Sequence, residues 1–166
     1  AVHPIAAVQT EYSLWTRNPE IAVLDACKDL GAAFVAFSPV ARGFLCGGLR
    51  DPAQLLAGDI RLAMPRFKAD NYARNLLLLD AFVEVARQAD CTPAQLALAW
   101  LLAQGEHIIP IPGTTCVEHL RENMKAAELR IDAALLAHVS ELIGEHNVAG
   151  QRYAPATQKE VDTEVF

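Results

Sequence analysis

The sequence is short of what marks several common protein classes. Its 166 residues include four cysteines, Cys27, Cys46, Cys91 and Cys116, none in a C-x-x-C pair or at a zinc spacing. Reduced, mostly buried thiols are the expectation, against disulfides or a metal site. Five histidines contain no H-x-x-x-H pair, so no metal ligands are assigned. Cationic residues are in the minority, 14 against 20 acidic ones, for a net charge of −6. That excludes a general nucleic-acid binder, which needs a basic surface, but allows a local basic pocket. No apolar run reaches the roughly 18–20 residues needed to span a bilayer. No charged-then-apolar leader is seen. A cytoplasmic protein with neither nucleic acid nor membrane as partner is expected. Glycine-rich dinucleotide fingerprint, P-loop, nucleophile elbow and paired catalytic acids are all missing. So is any low-complexity segment.

What is present is apolar and ordered. Hydrophobic residues make up 52% of the chain, enough for one well-filled domain or a large piece of one. Ile5–Thr10 and Ala33–Phe37 read as short, fully buried strands. Between them Asn18-Pro19 opens a helix with Val23, Cys27 and Leu30 on one face, and Gly31 stops it. From Val40 to Asn71 no regular pattern holds, apart from a short helical turn near Pro52–Ala57. A stretch this long without regular structure reads as a binding loop or lid.

Periodicity returns at 72–89, with Leu76, Leu79, Val83 and Ala86 on one face. Thr92-Pro93-Ala94-Gln95 is a capping box. It starts a helix with Leu96, Ala99, Trp100 and Ala103 inward, which Gly105 ends. Ile108–Ile111 is a third apolar run, followed by a Pro112-Gly113 turn. A helix over 117–127 with Leu120 and Met124 inward comes next. The last helix runs from an Asp132 cap to Ile143, with Leu135, Val139 and Leu142 on one face. Residues 144–166 read as a polar, irregular tail.

Strands alternating with helices imply an α/β fold with right-handed parallel crossovers. The order strand, glycine turn, helix N-terminus at 108–117 gathers unpaired N–H groups at the positive end of a helix dipole. A phosphate of a nucleotide cofactor is expected there. Three parallel strands alone leave raw sheet edges, so the chain should dimerise or belong to something larger. It also begins with Ala1 rather than Met, as a processed chain or a fragment would.

Four motifs in order resemble the C-terminal part of aldo-keto reductases. They are Ala7-Val8-Gln9-Thr10-Glu11-Tyr12-Ser13-Leu14, the run from Val35 through Ser38-Pro39 to Leu45, the Thr92–Trp100 helix, and Ile109–Thr114 with Glu118–Asn123. The likeness covers nearly the whole chain. It implies that residues 1–166 form the C-terminal, cofactor-binding portion of a (β/α)8 TIM barrel, its sixth to eighth strands. It also implies NADPH as cofactor, with NADH the alternative, and a small-molecule carbonyl as substrate.

Carried over residue by residue, the resemblance places Gln9 on the nicotinamide carboxamide. An amide suits that task because it both donates and accepts. Phe37 falls where the family stacks an aromatic on the nicotinamide ring, although a core phenylalanine is the competing reading. Ser38, Val40, Arg42, Gly43 and Leu45 fall in the loop over the pyrophosphate. Gly43 would allow close backbone approach there. Arg42 would pair with phosphate or be a solvated surface side chain. Gly113 and Thr114 match the 2′-phosphate end, and Glu122 with Asn123 the adenine side. The family's cations after Gly-Thr are replaced by Thr115 and Cys116. That leaves His119, where some members carry Arg, with Arg121 as a possible substitute.

The family's catalytic Asp, Tyr, Lys and His come from earlier strands, and none is assigned here. Tyr12, Tyr72 and Tyr153 match no part of that tetrad. Three readings follow: the cofactor-holding part of a reductase, inactive alone and prone to self-association; a truncated, non-catalytic nucleotide-binding or interaction module; or a chain whose other half is a separate polypeptide.

Overall fold

The computed structural model describes residues 3–161. Residues 1–2 and the last five of the expected tail lie outside the described residues. Three strands, β1 (Ala7–Glu11), β2 (Ala33–Phe37) and β3 (Ile108–Pro110), form one parallel sheet in the order β1-β2-β3. Ala7 pairs with Ala33, Glu11 with Phe37, and Phe34 with Ile108. The principal helices are α1 (Val23–Leu30), α2 (Ala69–Gln88), α3 (Pro93–Ala103), α4 (Val117–Lys125) and α5 (Ala133–Leu142). A four-residue helix, α6 (Pro155–Gln158), lies in the C-terminal segment.

One face of the sheet carries the core. Phe34, Ala36 and Ile108 project alternately onto it and are buried with Trp100, Leu96 and Leu101 of α3. Tyr12, just beyond β1, meets Phe34 edge-on and Trp100 at a tilt. Helix α3 is buried from Ala94 to Leu101. Its capping box is complete: Gln95 N–H donates to Thr92 Oγ1 at 3.2 Å, and Thr92 N–H to Gln95 Oε1 at 3.1 Å. Gly31 ends α1 at φ +65°, where a left-handed residue accommodates the chain reversal.

The other face is open, which overturns the expectation of fully buried strands. Ala7 and Gln9 of β1 are exposed, as is Ile109 of β3. A run of apolar residues fixes strand type but not how many of its faces are covered. The Asn18 helix start is likewise corrected. Asn18–Glu20 is a single 3-10 turn with Arg17 ahead of it, and α1 opens at Val23. Leu30 is 76% exposed rather than inward with Val23 and Cys27, because α1 is nearly spent before that position turns back to the core. Ala103 is also exposed, at the last residue of α3.

On α4 the expected inward pair, Leu120 and Met124, is exposed, together with Val117. Polar residues turn to α3 instead: Gln95 Nε2 donates to the Glu122 carbonyl at 3.2 Å, and Thr92 Oγ1 donates to the Glu122 carboxylate. The Pro112-Gly113 turn is an extended link, in which strand pairing continues as Ile111 N–H donates to Ala36 O at 3.0 Å. The irregular stretch contains 3-10 turns at Ala41–Cys46, Pro52–Gln54, Ile60–Ala63 and Pro65–Phe67. It packs Phe44, Leu45 and Phe67 into the core, with Trp15 stacked on Phe44.

The described part of the segment from Gly144 carries the short helix α6 and is tied down. The buried Asn75 side chain both donates to and accepts from the Ala149 backbone, at 3.0 and 2.8 Å. Gly150 has φ +95°, and a Cβ there would meet Asn71 Nδ2 at 2.7 Å and the Arg66 backbone at 3.1 Å. Only glycine lets the chain pass this close. Among the described residues no helix is long and apolar enough to cross a membrane. No group of three or more His, Cys, Asp or Glu residues placed to hold a metal ion occurs among them, and the four cysteines are free thiols, but only Cys27 is buried, Cys46 being exposed and Cys91 and Cys116 half-buried.

Candidate functional site

Phe37 ends β2, residues 38–45 follow it, Gly113 and Thr114 follow β3, and His119, Glu122 and Asn123 lie on α4, while Gln9 sits in the middle of β1 rather than at its end. Open parallel sheets bind ligands outside the carboxyl ends of their strands. On β1 and β2 the register places Gln9 beside Val35 and Glu11 beside Phe37, so strand alternation puts Gln9 and Phe37 on the open face. Phe37 is half-buried and stands outside the core cluster. Gln9 is exposed at a position where its amide has no protein partner among the described residues.

Beyond β2 the chain enters a loop of unusual backbone. Ser38, Ala41 and Arg42 have φ of 51°, 51° and 55°, and Gly43 follows at 88°. Left-handed conformations at residues with a Cβ carry strain and cluster where surrounding structure over-determines them. Leu45, an expected contact, buries its side chain completely, so it anchors the loop from below. Val40 and Cys46 form the loop's outer wall.

Arg42 is neither solvated nor directed to open solvent. Its Nη2 donates to Glu11 Oε2 at 2.8 Å and to Tyr153 Oη at 3.2 Å. Glu11 is 3% exposed and also accepts from Arg152 Nε at 3.1 Å, from Tyr153 Oη at 3.3 Å and from Thr16 Oγ1 at 3.0 Å. Thr16 in turn accepts from Arg66 Nη1 at 3.0 Å. Burial pushes the Arg66 guanidinium down to about 10, against the opposing pull of Glu11 and Glu145, so it stays cationic at neutral pH. Three guanidinium groups therefore gather round one carboxylate, a local excess of positive charge in an acidic chain.

A cleft of about 390 Å³ opens beside this loop. Its walls are Val40 and Cys46, the Thr92-Pro93-Ala94 start of α3, the Pro112-Gly113-Thr114 link, and His119, Glu122 and Asn123 of α4. Six expected residues thus meet in one place: Val40, Gly113, Thr114, His119, Glu122 and Asn123. Gly113 has no atom within 4 Å of where a Cβ would stand, which leaves room for a ligand against its backbone. Thr114 Oγ1 accepts from Cys116 N–H at 3.1 Å and so shapes the link as well as lining it. The N-cap of α4, Cys116, supplies no side-chain cap, and the Glu118 carboxylate accepts from its own backbone N–H and from the Cys116 thiol, so only the rest of the first turn is left for another acceptor. Arg121 is exposed and does not line the cleft, and neither do Thr115 and Cys116. Among the described residues that line it, His119 is the one Lys, Arg or His side chain.

Reasoning from sequence missed Glu11, Arg66, Arg152, Tyr153, Thr92 and Cys46. Glu11 gave a signal, as a charged residue closing an apolar strand. Arg152 and Tyr153 gave none, since their partners lie more than a hundred residues away in the chain. Tyr12 offers no proton donor, because it is wholly buried and donates to Glu20 at 2.8 Å. Burial first, and the Glu20 charge second, push its phenol well above the ordinary range.

Comparison with known proteins bears on the family and the fold. Residues 1–143 match the family model for the aldo/keto reductase family. The chain is 39% identical over 164 residues to an aldo-keto reductase from Schizosaccharomyces pombe that is named for NADP(+), covering 97% of this chain and 48% of that protein. It is 40% identical over 157 residues to an aldo-keto reductase from Strobilurus tenacellus, covering 93% and 47%. Among solved structures, a glycerol dehydrogenase from Gluconobacter oxydans superposes with a TM-score of 0.80 at 21% identity, over 93% of this chain and 46% of that one. A thermostable aldo-keto reductase in complex with epalrestat gives 0.58 at 28% identity, over 86% and 41%. The chain thus spans about half the length of the curated relatives it matches.

Proposed function

The chain belongs to the aldo/keto reductase family, and from that premise we propose that it forms the cofactor-holding portion of a nicotinamide-dependent carbonyl oxidoreductase. Its three parallel strands are then part of the (β/α)8 barrel of such enzymes. The observation that carries the reading is the cleft between the loop after β2 and α4. It unites residues from three separated parts of the sequence at the carboxyl ends of the strands.

A nicotinamide dinucleotide fits what is there. The cleft has the volume of a small-ligand site, and Gly113 leaves room for phosphate beside the first turn of α4, whose donors Glu118 takes up only in part. Asn123 lines it with both an amide donor and an acceptor. Gln9 and Phe37 share the open sheet face, where an amide and an aromatic ring would orient a flat carboxamide-bearing ring. When bound, the cofactor supplies a hydride to a carbonyl carbon. The residues of this chain bind and orient it, while Arg42, Arg66 and Arg152 lend positive potential to the loop beside its phosphates. NADPH is the cofactor of choice, with the His119 imidazole as a hydrogen-bond donor to its 2′-phosphate. No proton donor for the carbonyl oxygen is assigned among these residues, so the 166-residue polypeptide should bind cofactor without turnover. The substrate of the complete enzyme is a small aldehyde or ketone.

Calorimetric titration with NADPH and NADH tests the reading. Saturable binding is expected, weakened at least tenfold by Gly113→Trp, which fills open space at a residue without a left-handed backbone and should leave the melting temperature in place. Unchanged affinity in that variant would refute the assignment of the cleft. Reduction of an aldehyde by this polypeptide, lost on Tyr12→Phe, would refute the assignment of roles.

A further inference from the structure

The Glu11 cluster joins two segments that lie far apart in the chain. One is the loop of residues 38–46. The other is the C-terminal segment of residues 149–158. We propose that this segment is a strap that holds the loop in its shape through Glu11, a positioning residue for the cofactor loop. The inference rests on the proposed cofactor role only for its functional consequence. Its structural half stands without it.

The strap is fixed at two points. Ala149 and Gly150 are held by Asn75 and by Arg66 Nε, which donates to Gly150 O at 3.2 Å. Arg152 and Tyr153 are held by Glu11 Oε2, the same oxygen that accepts from Arg42. Tyr153 also packs between two cations: the Arg152 guanidinium lies 4.7 Å, and that of Arg42 5.7 Å, from its ring centre. The loop cannot move Arg42 without disturbing Tyr153, and the strap cannot lift without exposing Glu11.

The loop needs such a restraint. Ser38, Ala41 and Arg42 all hold left-handed backbone angles that residues with a Cβ avoid. Arg61 Nη1 supports the Arg42 carbonyl at 3.2 Å, while the Arg42 side chain is held by Glu11 and Tyr153. Removing the Glu11 charge would leave neighbouring guanidinium groups without their carboxylate in a mostly dry site, which is strongly unfavourable to the closed arrangement. The chain would relieve this by releasing the strap, and then the loop.

Amide hydrogen exchange on the full chain tests the coupling. In Arg152→Gln the strap loses one partner of Glu11, while the loop sequence is untouched. Exchange should rise at least tenfold in residues 149–158 and also in residues 38–46. Glu11→Gln should do the same more strongly, and both variants should weaken NADPH binding about tenfold. Faster exchange in the strap with an unchanged loop in Arg152→Gln would overturn the coupling. A native chain that binds no NADPH, yet shows the coupled exchange, would support the strap and count only against the cofactor reading. If Glu11→Gln does not fold, Arg152→Gln and Tyr153→Phe carry the same test. Loop protection unaltered in both would overturn the proposal.

Discussion

Replacing Asn75 with alanine should destabilise the protein more than its single side chain suggests. Asn75 lies on α2 with no solvent exposure. Its amide donates to Ala149 O at 3.0 Å and to Arg66 O at 3.3 Å, and accepts from Ala149 N–H at 2.8 Å. The alanine variant would leave both backbone groups of Ala149 without partners, and Ala149 is itself only 7% exposed. A buried polar group left unpaired costs about 1–3 kcal/mol. With some of that recovered by water or local opening, the loss is about 2–4 kcal/mol. Domains of this type have only about 5–15 kcal/mol to lose, so the urea midpoint should fall visibly. The melting temperature should drop by about 5–15 °C at roughly 2–4 °C per kcal/mol. Asn71→Ala is the control, since Asn71 makes one bond, to Pro65 O at 2.9 Å, from a half-buried site. If Asn75→Ala costs no more than Asn71→Ala in parallel urea titrations, the C-terminal segment is not held as described.

Two further perturbations read other parts of the structure. Thr92→Ala removes the side-chain cap of α3 and should cost about 1 kcal/mol in denaturant titrations, while Thr92→Ser keeps most of it. The same change frees the Glu122 carboxylate, so nucleotide affinity should shift in the alanine variant and not in the serine one. Hydrogen bonding from Arg61 holds the Asp59 carboxyl down to about 2, below its ordinary 3.8. A depressed carboxylate favours the folded state above its ordinary value, and that contribution is lost as pH falls from about 4 to about 2. Asp59→Asn should remove that contribution at neutral pH and flatten the acid limb of stability in that window, which urea titrations between pH 2 and 7 check.

Local chemistry made the backbone of this fold readable. Thr92 and Gln95 form both bonds of the box their spacing announces, and Gly31 takes the left-handed stop. Strand order followed from apolar runs separated by helices. Burial was harder to read, because it depends on neighbours. Gln9 and Ile109 sit in runs that look fully buried but face outward, and Leu120 and Met124 lie opposite the polar face that α4 turns to α3. The strand, glycine and helix start around Gly113 were legible as local order, whereas His119, Glu122 and Asn123 entered through the family resemblance. The cluster around Glu11 was not, since it is assembled from residues 11, 16, 42, 66, 152 and 153, and no spacing rule joins them.

The register of the sheet also sets the order in which the chain can assemble. Pairing Ala7 with Ala33 closes a short loop, whereas pairing Phe34 with Ile108 spans nearly three times as much chain. Closure entropy grows with the logarithm of loop length, so the second pairing is about 1 kcal/mol dearer before any contact repays it. The β1-α1-β2 unit is therefore the natural nucleus. The arrival of β3 then waits on α2 and α3, which shorten the path between the two strands by winding it into helix. Substitutions in α1 or β2 would slow folding, while those on the Ile108 strand would mainly hasten unfolding.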